Sequence, residues 1–268
     1  MTVDEATQTN SVPTKSDEAT QTNGLPPRKD PQAGLLNEVD ASDDRWTVDS
    51  VVSTITPRYA ENTSSPVPFF HLLERLKTTP RAGWCRFGIK NPESISDHMY
   101  RMSILTMMAP KSISSKLNIL RCTQMALIHD MAEALVGDIT PVDNVSKAEK
   151  SRRESETMDY ICKNLLGKYN GGLNGEEIRE LWQEYEDSKT LESHFVHDID
   201  KIELILQMVE YEREQKGTVD LGEFTWVTKK ILSPEVRAWS DHVLWERMEL
   251  WQGLEKKPSW WDDDVTPK

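Results

Sequence analysis

The chain has 268 residues, with 32 Lys plus Arg against 45 Asp plus Glu and a formal net charge of −13. So acidic a surface repels a phosphate backbone and excludes a generic nucleic-acid binder. No apolar run reaches the ~18 residues a membrane span needs, and the first thirty residues lack the apolar segment of a secretory signal.

Cys85, Cys122 and Cys162 stand far apart without a CxxC pair. Neither a disulfide framework nor a thiolate zinc site is expected, the cytoplasm (with the nucleus also open) is the expected compartment, and any metal must use nitrogen and oxygen ligands.

Residues 1–60 read as a disordered, low-complexity tail. The string DEATQTN occurs at 4–10 and again at 17–23, and Pro13, Pro26, Pro27 and Pro31 break every periodic stretch. Such a composition buries too little apolar surface to offset chain entropy.

From Pro66 onward apolar residues recur at three and four residue spacings, and no alternating strand pattern occurs, so the fold class is all-α. Helices are expected over 68–77, 94–109, 117–136, 147–166, 176–187, 191–215, 220–232 and 234–252. Ser94 and Asp97 form a capping box after Pro92, Gly137 stops the third helix, and Ser233 followed by Pro234 caps the last. About eight helices thus make one domain of roughly 195 residues, long enough to bury a full core. Six of the nine tryptophans follow residue 220, and helix packing is their expected use.

The histidines carry the chemistry. His98 lies on the inward stripe with Met102 and Leu105, and His129 has Met125 and Ala132 one turn away on either side. Asp130 is adjacent, Glu133 stands at i+4 from His129, and Asp138 follows the glycine stop. Acids aimed at an apolar interior are costly unless paired or metal-bound. A later apolar helix supplies a further Asp. Its stripe of Phe195, Ile199, Ile202, Leu206 and Val209 places Asp198 nearer the core than Asp200. Imidazoles and carboxylates converging from several helices are how an all-helical protein builds a metal site.

These residues, in the order H…HD…D, resemble the HD-domain metal-dependent phosphohydrolases. The stretches 92–102 (PESISDHMYRM), 126–133 (ALIHDMAE), 136–139 (VGDI), 149–154 (EKSRRE) and 199–212 look like the eukaryotic 5′-deoxynucleotidase branch, the HD domain-containing protein 2 family. The resemblance covers about residues 68–245. It implies an HD-type helical domain over 61–255, followed by a C-terminal tail over 256–268.

By the same resemblance, a divalent cation (Mn, Co, Fe or Zn) sits on His98, His129, Asp130 and Asp200; the stripe on that last helix keeps Asp198 as the alternative last ligand. Glu133 and Asp138 act on the attacking water, or bind a second cation, such as Mg, with the backbone of Ile139. Arg81 holds the phosphate and Trp84 shapes the sugar pocket. The implied substrate is a deoxynucleoside monophosphate, neither a nucleic acid polymer nor a membrane is a partner, and the implied assembly is a homodimer. A phosphodiesterase, a nucleoside triphosphate hydrolase and a non-catalytic, metal-stabilised binding module are the rival readings.

Overall fold

Ser94 accepts a hydrogen bond from the Asp97 amide while Asp97 caps Ser94 in return, and this reciprocal box starts a helix over Ile95–Thr106 (α4). The computed structural model describes residues 45–258, and those from Trp46 onward form one compact unit. Before α4 come α1 (Val48–Val52), α2 (Val67–Thr78) and α3 (Ala82–Arg86). After it come α5 (Lys111–Ser114), α6 (Ile119–Ala126), α7 (Glu133–Val136), α8 (Lys147–Asp159), α9 (Leu173–Asp187), α10 (Leu191–Glu214) and α11 (Pro234–Gly253). Among the described residues there is no strand beyond a single bridge between Pro80 and Ser94, and no helix is long and apolar enough to cross a membrane.

α10 is the axis of the fold. Thr190 and Ser193 cap it reciprocally, and Phe195, Val196, Ile199, Ile202, Ile205, Met208 and Val209 are buried along it. These residues cover more than one helical stripe, as a helix touched by α4, α6, α9 and α11 requires. Two apolar clusters result: one surrounds α10, and the other joins α1, α2, the end of α8 and α9. α4 serves both, giving Met102 to the first and Ile95 and Met99 to the second, so His98 sits at their boundary.

The helix expected over 117–136 is interrupted. α6 ends at Ala126, and Met131, Glu133, Ala134 and Leu135 donate to carbonyls three residues back rather than four. This tighter winding has three residues per turn, which aligns Asp130 with Glu133 on one edge. Gly137 ends α7 at φ 77°, a conformation open to glycine at no steric cost.

The helix expected over 147–166 runs as α8 and then widens into a π turn over Tyr160–Leu165. The segment expected over 220–232 is a 3-10 helix, Gly222–Lys230. α3 and α5, only five and four residues long, are too short to leave a periodic signal.

The boundary expected at residue 60 is corrected, because residues 46–60 pack on the domain. Val52 is fully buried, the Trp46 ring lies under Arg152 and Arg153, and Arg152 donates to the Trp46 carbonyl. The composition hid five apolar anchors, Val48, Val51, Val52, Ile55 and Tyr59. Residues 1–44, with both copies of the repeat, lie outside the described residues. The expected C-terminal tail likewise begins in contact: Lys256 donates to the carbonyls of Lys216 and Gly217, and Pro258 is buried. Residues 259–268, which include Trp260 and Trp261, lie outside the described residues. Trp239 and Trp251 pack as expected, whereas Trp226 is exposed beneath the Lys230 ammonium.

α9 crosses the π turn at Gly175, where a β-carbon would stand 2.6 Å from the Cys162 carbonyl oxygen. Gly175→Ala therefore forces backbone apart, at a cost of about 1–3 kcal/mol. Thermal melting checks this, with an expected fall in Tm of about 5 °C.

Candidate metal centre and active site

The tight turn after α6 sets up His129. Its Nδ1 donates to the Ala126 carbonyl at 3.0 Å, which leaves Nε2 as the free lone pair, 3.1 Å from Asp130 Oδ2. The His98 ring arrives from α4, fully buried, with Nε2 at 3.8 Å from the same Asp130 oxygen and 3.3 Å from Asp200 Oδ1. Donor atoms of His98, His129 and Asp130 lie within 4.8 Å of one another, and Asp200 closes the group from α10. Tyr185 on α9 completes the wall, its ring 4.8 Å from that of His129 and its hydroxyl donating to Asp200 Oδ2 at 3.4 Å.

Behind His98 stands a residue that sequence reasoning missed. Glu203, fully buried on α10, accepts from His98 Nδ1 at 2.5 Å and from Arg101 Nε at 2.8 Å, and Arg101 is tied further to Gln207 and Glu210. A carboxylate on the far nitrogen fixes a ligating imidazole's tautomer and turns its other nitrogen toward the site. The available signal was a Glu one turn beyond Asp200, on the same helix edge.

Burial and Arg81 press the His98 pKa down, but Glu203 and Asp200 outweigh them and lift it to about 10. A cation on Nε2 therefore displaces a proton. Burial pushes the Asp130 carboxyl up, and His129 and Arg81 together hold it below the usual carboxylate range.

The two α10 aspartates divide cleanly. Asp198 is 1 % exposed, as the stripe predicted, yet its oxygens accept from the Leu232 and Ser233 amides at 2.7–3.1 Å. It caps the entry to α11. Asp200, less buried, is the one beside His98.

Arg81 is placed by backbone pairing, its amide donating to the Glu93 carbonyl at 3.0 Å. Its guanidinium reaches Asp130 at 3.2 Å and Asp138 at 4.0 Å. Asp138 in turn accepts from the Ala82 amide at 2.8 Å, fastening α3 to the turn after α7. Glu133 is buried, and its Oε2 has no hydrogen-bond partner. Burial drives its carboxyl well above the usual range, and Asp130 and Asp138 add to the shift. The Ile139 carbonyl accepts from Lys150 Nζ at 3.1 Å.

Trp84 is buried. Its indole is 1 % exposed, packed against Tyr211 and Phe224, and donates to Glu93 Oε1 at 2.8 Å. It packs in the apolar cluster around α10. Burial, with Glu203 nearby, raises the Glu93 carboxyl to about 7.

The residues fit a divalent cation on structural grounds. His98 Nε2 is buried with no hydrogen-bond partner assigned, and Asp200 Oδ1 stands 3.3 Å from it. Buried polar atoms left unpaired are rare. The mixed imidazole and carboxylate set suits first-row transition metals.

An all-helical domain holding a His-Asp pair against a second buried histidine defines a class, and the sequence comparisons agree with it. The family model described as HD domain matches residues 73–239, and the chain belongs to the HD-domain family. The 5′-deoxynucleotidase hdd1 of Schizosaccharomyces pombe is 52 % identical over 198 residues, covering 74 % of this chain and 98 % of that protein. The human 5′-deoxynucleotidase HDDC2 is 45 % identical over 148 residues, 55 % of this chain and 69 % of that one. Among solved structures, the HD domain-containing protein YGK1, a protein of Saccharomyces cerevisiae, superposes with a TM-score of 0.54 at 30 % identity, covering 76 % of this chain and 94 % of its own.

Proposed function

We propose that this protein is a metal-dependent 5′-deoxynucleotidase, a phosphoric monoester hydrolase that splits 2′-deoxyribonucleoside 5′-monophosphates into deoxynucleoside and inorganic phosphate. The observation that carries the reading is the buried, unbonded Nε2 of His98 facing His129, Asp130 and Asp200, in a chain 52 % identical to a 5′-deoxynucleotidase. His98, His129, Asp130 and Asp200 would hold the cation. When bound, it neutralises phosphate oxygens and acidifies a water.

The chain's own groups do the rest. Glu203 and the Ala126 carbonyl orient the two imidazoles. Arg81, within a chain of net charge −13, supplies the positive charge that draws a phosphate dianion to this end of the helices. Glu133, buried one turn from Asp130 and 3.9 Å from the Lys150 ammonium, takes the proton of the attacking water and returns it to the 5′ oxygen as the P–O bond breaks. Asp138 positions Arg81 and α3.

Mn, Co, Fe and Zn suit the nitrogen-bearing site, and Mg suits an all-oxygen one. The free thiols of Cys122 and Cys162 are in keeping with work in the cytoplasm or nucleus.

Phosphate release tests the reading. Chelated protein is expected to be silent, and Mn, Co, Fe or Zn to restore hydrolysis of dAMP in preference to AMP, dATP or a cyclic nucleotide. Silence with every cation, or faster turnover of the triphosphate or the cyclic ester, would overturn it.

The protein acts as a homodimer in this reading. Support comes from Tyr100, Ile104, Met107 and Met108, which leave an apolar stripe exposed along α4 and just past its end. Met107→Glu is expected to halve the mass measured by light scattering, and an unchanged mass would place the interface elsewhere.

A further inference from the structure

Lys150 opens the second turn of α8 within a run of charges that reads, in sequence, as a solvated helix face. The structure puts its ammonium elsewhere. Nζ donates to the Ile139 carbonyl at 3.1 Å, lies 3.5 Å from Glu154 Oε1 and stands 3.9 Å from Glu133 Oε1. All three partners are oxygens.

Glu133 is 2 % exposed, its Oε2 has no hydrogen-bond partner, and its Oε1 has the Lys150 ammonium at 3.9 Å. The turn at Gly137 brings the Ile139 carbonyl to the same place. Asp138, the neighbouring acid, is engaged with the Ala82 amide and Arg81. Lys150 is thus the cationic side chain seated between Glu133 and Ile139. An oxygen-only set of this kind is what a hard divalent cation selects, and an ammonium with three N–H donors imitates such a cation in charge and in contacts.

We propose that Lys150 is a tethered counter-cation that fills the Glu133 and Ile139 oxygen pocket and competes with a second divalent cation for it. This rests on the reading of the protein as a metal-dependent hydrolase, whose first cation lies on the His98, His129, Asp130 and Asp200 side. While Lys150 is seated, Glu133 has a positive neighbour without a second metal. When a divalent cation enters, the flexible lysine stem, one-third exposed, swings out to solvent.

The test counts Mn binding to the full chain by the EPR signal of free Mn, in the unmodified protein, Lys150→Met, Lys150→Gln, Lys150→Arg and His129→Ala. Removing the ammonium is expected to tighten the weaker Mn site at least tenfold in both neutral variants, with the charge-preserving arginine close to the unmodified protein. His129→Ala is expected to lose the tighter site and keep the weaker. Unchanged or weaker Mn binding in Lys150→Met and Lys150→Gln would overturn the proposal, and a raised KM for dAMP alongside would assign Lys150 to the substrate phosphate instead. Failure of the hydrolase reading shows separately, as tight Mn binding that survives His129→Ala, and leaves the comparison at Lys150 intact.

Discussion

Asp130→Ala is expected to abolish metal-restored hydrolysis of dAMP, lowering the rate on the order of 10³-fold, the factor that several kcal/mol of lost charge stabilisation produces. Asp130 Oδ2 stands 3.1 Å from His129 Nε2, 3.8 Å from His98 Nε2 and 3.2 Å from Arg81. One carboxylate therefore binds three positive or metal-directed groups together. Without it the Arg81 guanidinium keeps only Asp138, at 4.0 Å, and repels any cation brought between the two imidazoles.

The α10 aspartates give the matching contrast. Asp200→Ala is expected to lose the cation and the activity together, whereas Asp198→Ala keeps both and loses stability. Its missing carboxylate strands the Leu232 and Ser233 amides, at about 1–3 kcal/mol. Metal content, phosphate release and a thermal melt on the three variants check the set. Full activity in Asp200→Ala with loss in Asp198→Ala would reverse the assignment.

That contrast shows what a sequence can and cannot disclose. Stripe arithmetic on α10 ranked Asp198 as the more buried, and it is. Burial is not ligation, however, and what Asp198 satisfies is a pair of amides at the start of another helix, more than thirty residues along the chain. Such a long-range demand leaves no local periodicity.

The capping box at Ser94 and the Ser-Pro start of α11 were legible because each is a contract between residues at most three apart. The break after Ala126 was not. Over so few residues the same apolar positions satisfy three- or four-residue winding, and the choice falls to the packing of the turn, where Arg75 on α2 donates to the Ala134 carbonyl.

The site shows the same division. His98 and His129 could be placed inward from their own helical neighbours, and the structure brings them together with Asp130 and Asp200. Arg101, Tyr185 and Glu203 each look like ordinary helix residues until the helices are packed. Trp84 ran the other way: the resemblance gave it a place in the sugar pocket, while its size and hydrophobicity alone gave the core position it occupies.

Away from the site, the largest stability loss is expected from Arg247→Met. Glu212 is fully buried on α10 and accepts four hydrogen bonds: from Arg247 Nε and Nη2 at 2.9 Å, from Trp251 Nε1 at 2.7 Å and from the Leu221 amide at 2.8 Å. Arg247, itself buried on α11, also reaches Asp220 at 2.9 Å.

Taking one member from a buried ion pair costs about 3–5 kcal/mol, because the other charge stays desolvated. For a domain of this size that is a fall in Tm of about 10 °C. Glu212→Gln in the Arg247→Met background removes the stranded charge, and the single glutamine oxygen can still accept from either Leu221 or Trp251, which Glu212 holds on separate oxygens, so the double variant is expected to recover part of the loss. The recovery is the decisive measurement. If the double variant melts as low as Arg247→Met, shape rather than charge holds α11 to α10, and the ion pair is incidental to the packing of Trp251 and Val243. If it recovers, the joint between the two helices is electrostatic. Metal-restored activity in the cold should then survive in both variants, which separates this joint from the chemistry at Asp130.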